Sequence, residues 1–157
     1  MDYQEWIPLL GLAADDERII TRLAAYGWNA PIAFGPEDFY ACVDFKNNGM
    51  SIRFESEFTL RNKGVLDLPI LASVSMFPVL RKIQKKWTAY SDPLPFNLKL
   101  TFSKSDVIVL FGEPENSSNS YSARWLLDSG QRYLSVQFGE NWESIKQLGV
   151  GIPSRPM

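Results

Sequence analysis

The strongest constraint on the fold of this chain is a pattern that occurs twice. Residues 7–56 contain an apolar lead-in, an acidic cap, a short apolar helix ending at Gly27 and two strands that close on Ser-x-x-Phe. Residues 94–139 contain the same order, with a helix ending at Gly112. The two glycines and the two Ser-x-x-Phe segments, which start at Ser51 and Ser135, are separated by nearly the same length of chain. The pattern favours a duplicated unit, although a glycine after a short helix is common enough to match by chance.

In the first half, helix and strand signals follow one another closely. Asp15 or Asp16 is expected to cap the helix that Gly27 ends. Residues 39–45 alternate between apolar and polar, and an Asn-Gly turn at 46–49 leads into a second strand of the same period. The alternation predicts an antiparallel hairpin with one face in the core and the other turned outward.

The second half carries the same kinds of signal. Ser103 or Ser105 is expected to cap a short helix that Gly112 and Pro114 stop, and a polar loop follows it. A Ser-Gly turn separates two alternating strands, and a last apolar strand is expected to close the sheet. Strands are predicted at residues 97–102, 122–128, 132–139 and 145–152.

These signals predict an α+β fold with two tandem helix-plus-antiparallel-strands units, each a helix followed by about three strands, in one compact body. Residues 1–60 are assigned to the first repeat and residues 93–157 to the second. Residues 61–92 hold a third strand, predicted from Val65 to Phe77, and a connector. One unit is too small for a comfortable core, whereas two side by side can share one.

The composition removes most catalytic chemistry. The chain has no His, which is the usual general base and a common metal ligand. Its one Cys, Cys42, allows no internal disulfide and no zinc cluster, and we interpret it as a plain small residue. Neighbouring carboxylates occur, but their spacing does not predict a hydrolase pair. We therefore expect no enzymatic activity, no cofactor and no metal site.

The charges are distributed unevenly along the chain. Residues 1–60 have a net charge of −6, residues 61–92 of +4 and residues 93–157 of zero. Such asymmetry can orient a charged partner, or it can be ordinary solvated surface. The N-terminus is acidic without a signal peptide, and no window approaches 18 apolar residues, so we expect a cytoplasmic protein that does not bind membranes.

The connector carries the only feature typical of nucleic-acid binding. Basic side chains near aromatic rings can hold phosphates and stack on bases. The overall composition is acidic, however, so we interpret the cluster as solvated surface and do not expect nucleic acid as a partner. The cluster consists of Arg81, Lys82, Lys85 and Lys86, with Trp87 and Tyr90 beside it.

The outward side of the predicted hairpins is the candidate partner-binding surface. Tyrosine and arginine surrounded by polar groups are typical of protein interfaces. The alternative is that helices or the other half of the chain cover this side, and the loops at 28–38 and 113–121 are the second choice for an interface. The candidate partner-binding residues are Tyr40, Asp44, Arg53, Glu55, Arg124, Tyr133 and Gln137.

Several segments resemble immunity proteins of interbacterial toxin systems. Residues 93–114 contain Pro-Leu-Pro-Phe-Asn-Leu, Phe-Ser-Lys-Ser-Asp-Val and Phe-Gly-Glu-Pro; Arg-Trp-Leu-Leu-Asp and Tyr-Leu-Ser-Val-Gln-Phe follow. Leu-Leu-Gly-Leu-Ala-Ala-Asp-Asp-Glu-Arg at 9–18 is similar to the opening of that group. The Gly-x-Pro helix stop before strands also resembles the BamE-like and β-lactamase-inhibitor-protein-like fold, which places two α/β units in tandem.

The resemblance implies a protein that binds a cognate toxin or effector domain and neutralises it by occluding its active site. It supplies no catalytic or cofactor-binding residues. A monomer, or a 1:1 complex with the partner, is expected. The alternative is an adaptor or chaperone that binds a secreted effector without inhibiting it.

Overall fold

Two β-hairpins form the outer parts of one seven-stranded antiparallel sheet. A computed structural model describes residues 1–61, 64 and 66–154. The order of strands across the sheet is β1-β2-β3-β7-β6-β5-β4, which confirms the α+β class. The strands are β1 (Tyr40–Phe45), β2 (Met50–Ser56), β3 (Pro69–Met76), β4 (Asn116–Ser117), β5 (Ser122–Leu127), β6 (Arg132–Phe138) and β7 (Ile145–Gly151).

Among the described residues, three short α-helices accompany the sheet: α1 (Glu17–Ala25), α2 (Glu57–Arg61) and α3 (Lys104–Phe111). None of the helices in the described part of the chain is long and apolar enough to cross a membrane. The predicted caps are confirmed. Asp16, rather than Asp15, caps α1 by accepting the backbone N–H of Arg18 at 2.9 Å. Ser103, rather than Ser105, caps α3.

The two hairpins have the same internal register. In β1–β2 the pair next to the turn is Phe45 and Met50; in β5–β6 it is Leu127 and Arg132. Ser51 therefore corresponds to Tyr133 rather than to Ser135, which the Ser-x-x-Phe segments suggest. A two-residue offset keeps every side chain on the same face. The predicted alternation is therefore confirmed in both hairpins, although the Ser-x-x-Phe segments align their second strands two residues out of register.

Strands β3 and β7 join the hairpins at the centre of the sheet. They pair antiparallel over four positions, from Ser73 opposite Gly151 to Met76 opposite Leu148. The predicted last strand therefore lies in the middle of the sheet rather than at its border. The predicted start of the third strand, Val65, lies outside the described residues, and β3 begins at Pro69.

The proposed unit of a helix followed by three strands, twice, is not confirmed. Helix α2 lies between the second and third strands of the first half, and β4 is a fourth strand in the second half. The predicted strand at 97–102 is absent from that described segment. Phe96 and Asn97 have φ angles of 58° and 57°, and this left-handed backbone starts a turn instead of an extended run.

The hydrophobic core lies on one face of the sheet. Helices α1 and α3 cover that face with Ile19 and Val107, both completely buried. The N-terminal segment contributes Trp6, whose ring lies 5.5 Å from the ring of Phe45 and 6.3 Å from that of Tyr26. The described residues place no such layer over most of the opposite face of the sheet, and we call it the open face.

The turn of the first hairpin is tightly packed against the connector. Gly49 has a φ of 63°, and a Cβ built on it would lie 2.2 Å from the backbone N of Tyr90 and 2.7 Å from the carbonyl oxygen of Thr88. Gly130, in the turn of the second hairpin, also has a positive φ, of 84°, but its Cβ would meet nothing within 4 Å. The first turn thus needs glycine for space as well as for conformation.

We expect Gly49→Ala to lower the free energy of unfolding far more than Gly130→Ala. The second substitution costs only the left-handed conformation, about 1–2 kcal/mol, whereas the first also displaces the backbone at 88–90. Urea denaturation of both variants measures the difference. Equal losses would show that the connector moves away from the turn without cost.

Glu5 ties the N-terminal segment to α1. Its carboxylate accepts the Tyr26 hydroxyl at 2.7 Å and pairs with the Arg22 guanidinium at 2.5 Å. The hydrogen bond from Tyr26 lowers the pKa of Glu5 the most, and the other hydrogen-bond and ion-pair partners of Glu5 lower it further. Burial and the same carboxylate raise the pKa of Tyr26 to about 12.

This arrangement predicts a loss of stability in acid. The pKa of Glu5 is lower in the folded than in the unfolded chain. Its ionised carboxylate therefore stabilises the fold at pH values above the pKa of the unfolded chain, and this stabilisation is lost as the pH falls through the pKa of the folded chain. Between about pH 5 and pH 3, the unfolding free energy of the wild type should fall more than that of Glu5→Gln. Denaturation of both at several pH values tests this, with Glu37→Gln, in an exposed loop, as the control.

Candidate protein-binding face

All seven predicted partner-binding residues lie on the open face. Each belongs to the alternating positions of β1, β2, β5 or β6 that point away from the buried side chains of the same strand. The sheet therefore places residues that are far apart in sequence on one surface. The set is Tyr40, Asp44, Arg53, Glu55, Arg124, Tyr133 and Gln137.

One row of residues crosses the open face from an acidic to a basic end. Its ends are Asp44 on β1 and Arg124 on β5, and its centre consists of small residues. Because those central side chains are short, the middle of the face is low between its two ends. The row runs Asp44, Ser51, Ser75, Gly149, Ser135 and Arg124.

Tyr40, Arg53 and Glu55 form a cluster at the first-half end of the face. The guanidinium of Arg53 lies 4.2 Å from the ring centroid of Tyr40, and its Nε lies 3.0 Å from Glu55 Oε1. Tyr40 is 48% exposed. The cation–π contact and the ion pair hold the arginine in place while the tyrosine ring stays accessible.

Tyr133 and Arg124 form the corresponding cluster in the second half. The Arg124 guanidinium lies 5.0 Å from the Tyr133 ring centroid, and its Nε lies 3.2 Å from Glu115 Oε2. The tyrosine lies across Gly151, where an added Cβ would be 2.7 Å from its hydroxyl. Burial raises the pKa of Tyr133, and a hydrogen bond with Ser73 opposes that shift.

The side chains of the two remaining candidates make hydrogen bonds within the protein. Gln137 donates its side-chain N–H to the backbone carbonyl of Ser120. Asp44 accepts the hydroxyl of Ser51 at 2.8 Å. Asp44 still faces solvent on β1, whereas Gln137 is half-buried and supports the loop before β5.

A helix covers one end of the open face. Leu60 of α2 packs with Ile70 and Ala72 of β3, and Ile152 lies against them. Within the part of the chain that the structure describes, the alternative that helices cover this face therefore holds at this end alone. Between α2 and β5 a cleft of about 460 Å³ remains, lined by Arg61, Arg124 and Leu126 among others.

The sequence interpretation missed the low centre of the face and the partner of Arg124. Ser73 and Ser75 alternate with large apolar residues in β3, and Gly149 and Gly151 do so in β7. That alternation is visible in the sequence, but only the pairing of β3 with β7 brings the four together. Glu115 belonged to a segment that we expected to be a plain polar loop.

The basic connector does not present aromatic rings for stacking. Its four basic residues are exposed. Trp87 is half-buried, with its ring 5.3 Å from the ring of Phe77 at 80°, and Tyr90 is only 4% exposed. The two aromatic residues therefore serve packing, and the basic residues form a charged surface without a stacking platform.

The second-choice loop at 28–38 lines an apolar pocket of about 340 Å³ against α1. Trp28, Pro31 and Ile32 form one wall, and Ile20 and Leu23 of α1 form another. The Trp28 indole donates to the carbonyl of Ala30 at 2.9 Å. The pocket lies apart from the seven candidate residues.

Reactive groups are few on the open face. Cys42 is exposed at its border, and burial of the thiol raises its pKa, which disfavours the reactive thiolate. Within residues 1–61, 64 and 66–154, no group of three or more His, Cys, Asp or Glu side chains could hold a metal ion. The arrangement offers aromatic, charged and hydrogen-bonding groups for recognition.

Comparison with protein-family models, with curated proteins and with solved structures finds no match to this chain. The resemblance to immunity proteins and to BamE-like repeats therefore remains a hypothesis drawn from sequence segments.

The open face is expected to contribute little to stability. Exposed ion pairs are worth about 0–1 kcal/mol, so Tyr40→Ala with Arg53→Ala should change the melting temperature only slightly. Val43→Ala with Ile52→Ala, on the buried side of the same two strands, should cost several kcal/mol. Thermal unfolding of both double variants tests this. A large loss in the first would show that the cluster is structural.

Proposed function

We propose that this protein binds another protein through the open face of its sheet. The observation that carries the proposal is the pair of arginine–tyrosine clusters on either side of a low centre, on a face that the described residues leave largely uncovered. Tyr and Arg are the residues that most often anchor protein interfaces. Their ion pairs with Glu55 and Glu115 hold the arginines in defined positions before a partner arrives.

The width of the face suits a protein partner. Asp44 and Arg124 are five strand spacings apart, which is about 24 Å at the usual separation of neighbouring strands. A standard interface of about 800 Å² per partner has a similar extent. The low centre can take a projecting loop, and the charged ends can fix its orientation.

We further propose that the partner is a cognate antibacterial toxin or effector domain and that the protein is its cytoplasmic immunity protein. The sequence segments at 9–18 and 93–114 support this assignment by their resemblance to that group. The net charge of −6 on residues 1–60 suits a basic toxin, because opposite charges accelerate association. Binding over the toxin's active site would inhibit it by occlusion.

We also infer that the two hairpins descend from one duplicated unit. The identical register of the hairpins, in which Phe45 corresponds to Leu127 and Met50 to Arg132, supports this inference. The helix before each hairpin, α1 and α3, is in the corresponding place. Helix α2 and strand β4 would then be additions made after duplication.

Co-expression with the toxin encoded beside this protein tests the assignment. Cells that make the toxin should survive only when this protein is also made. Equal death with and without it contradicts immunity. If the two proteins co-purify but cells still die, the protein is an adaptor or chaperone instead.

The face itself is tested by affinity. Tyr40→Ala with Arg53→Ala should weaken binding to the toxin by about 30-fold or more, the effect of losing an interface anchor. Lys82→Ala with Lys85→Ala, on the exposed connector, is the matched control and should bind normally. Calorimetry or surface plasmon resonance measures both. Unchanged affinity in the first variant would move the interface to the loops at 28–38 and 113–121.

A further inference from the structure

The outer edges of the two hairpins differ. In the second half, β4 covers the edge of β5. The backbone N–H of Glu115 donates to the carbonyl of Arg124, and that of Ser118 to the carbonyl of Ser122, both at 2.8 Å. In the shared register of the hairpins, the equivalents of Arg124 and Ser122 are Cys42 and Tyr40 on β1.

The outer edge of β1 has the corresponding backbone N–H and C=O groups, but no described strand pairs with them. Ser56 donates its N–H to the carbonyl of Phe39 at 3.0 Å. Because hydrogen-bonding direction alternates along an antiparallel strand, Tyr40, Cys42 and Asp44 turn their N–H and C=O groups away from β2. Among the described residues, no segment pairs with this edge, and β1 ends the sheet.

The segment that could have covered this edge is unsuited to it. Residues 28–38 follow α1 as residues 113–120 follow α3, but they form no strand. Pro31 and Pro36 have no N–H to donate to a ladder, and residues 35–38 make a turn closed by the bond from Asp38 N–H to the carbonyl of Gly35. The first half therefore lacks the counterpart of β4.

Apart from the charge of Asp44, the edge also lacks the usual protection against pairing. Exposed edges are commonly blocked by Lys, Pro, a bulge or a very short strand. Strand β1 has six residues, contains no Lys or Pro, and pairs with β2 in an unbroken register. The opposite border of the sheet, β4, is only two residues long.

Charge indicates what kind of strand would fit. Asp44 is the one charged residue of β1, and Glu37 and Asp38 precede the strand. In the second half the covering segment complements its neighbour, since Glu115 pairs with Arg124. Arg53, which lies opposite Cys42 on β2, is already paired with Glu55. By the same cross-strand rule, a strand added to β1 is favoured by a Lys or Arg opposite Asp44.

We propose that the outer edge of β1 accepts an extended basic segment of the bound protein as an additional strand of the sheet. This rests on the proposed function, because it assigns part of the same partner to a second contact beside the open face. Main-chain hydrogen bonds to Tyr40, Cys42 and Asp44 would give affinity, and Asp44 would select a basic side chain.

Amide hydrogen exchange on the full chain tests the edge. The probe is the capped peptide Thr-Lys-Val-Lys-Val-Thr at millimolar concentration, with Thr-Glu-Val-Glu-Val-Thr as the control. In the free chain, the amides of Tyr40, Cys42 and Asp44 should exchange rapidly, whereas those of Ala41 and Val43 should be protected. The basic peptide should slow exchange at the first three by about tenfold or more.

Two backbone variants separate the edge from the rest of the face. Cys42→Pro removes an outward N–H and no hydrogen bond to β2, and should weaken peptide binding by about tenfold; Cys42→Ser keeps that N–H and should bind like the wild type. Should Cys42→Pro fail to fold, Asp44→Lys keeps the backbone and should reverse the preference between the two peptides.

Each outcome bears on the proposal. No added protection at β1, or equal binding by Cys42→Pro and Cys42→Ser, overturns it. Protection at 40, 42 and 44 in concentrated protein without peptide would show that a second copy of this chain takes the edge, which also overturns it. Because the peptide assay needs no toxin, its result is independent of whether Tyr40→Ala with Arg53→Ala loses the toxin.

Discussion

The pairing of β3 with β7 is the contact on which the rest of the structure depends. It joins the hairpins over four residue pairs and makes two small sheets into one. Gly149 and Gly151 make it possible on the open face. A Cβ at Gly149 would lie 3.1 Å and 3.3 Å from the hydroxyls of Ser135 and Ser75, and one at Gly151 would meet the Tyr133 ring. The low centre of the face is thus a consequence of how the halves meet.

Local features of the fold were predictable from the sequence, and its long-range pairing was not. Helix caps such as Asp16 and Ser103, and the two-residue period of the hairpins, depend only on residues that are close in sequence. They can therefore be predicted from the sequence alone. The central position of β7 depends on a partner strand in the other half of the chain. The strand predicted at 97–102 is wrong because the backbone is left-handed at Phe96 and Asn97, and an aromatic residue such as Phe96 gives no sequence signal for that conformation.

The candidate site was predictable to the same degree. Alternation placed the seven residues on one side, because a side-chain period of two requires no knowledge of the partner strand. Their grouping into clusters did require it: Tyr40 meets Arg53 across a hairpin, but Arg124 meets Glu115 beside a two-residue strand that looked like a loop. Gln137 shows the opposite error. It lies on the predicted face, but its side-chain amide is hydrogen-bonded to Ser120 and is not available to a partner.

The central place of β7 also affects how the chain is made. All other strands precede β7, so during synthesis the first hairpin and β3 form an incomplete sheet whose inner edge has no partner. At translation rates of about 5–20 residues per second, that edge waits on the order of several seconds while the second half is produced. The pairing of β3 with β7 is non-local, which also slows folding. The inner edge of β3 is thus an unpaired strand edge for that interval, and unpaired edges are open to chaperones and to misassembly.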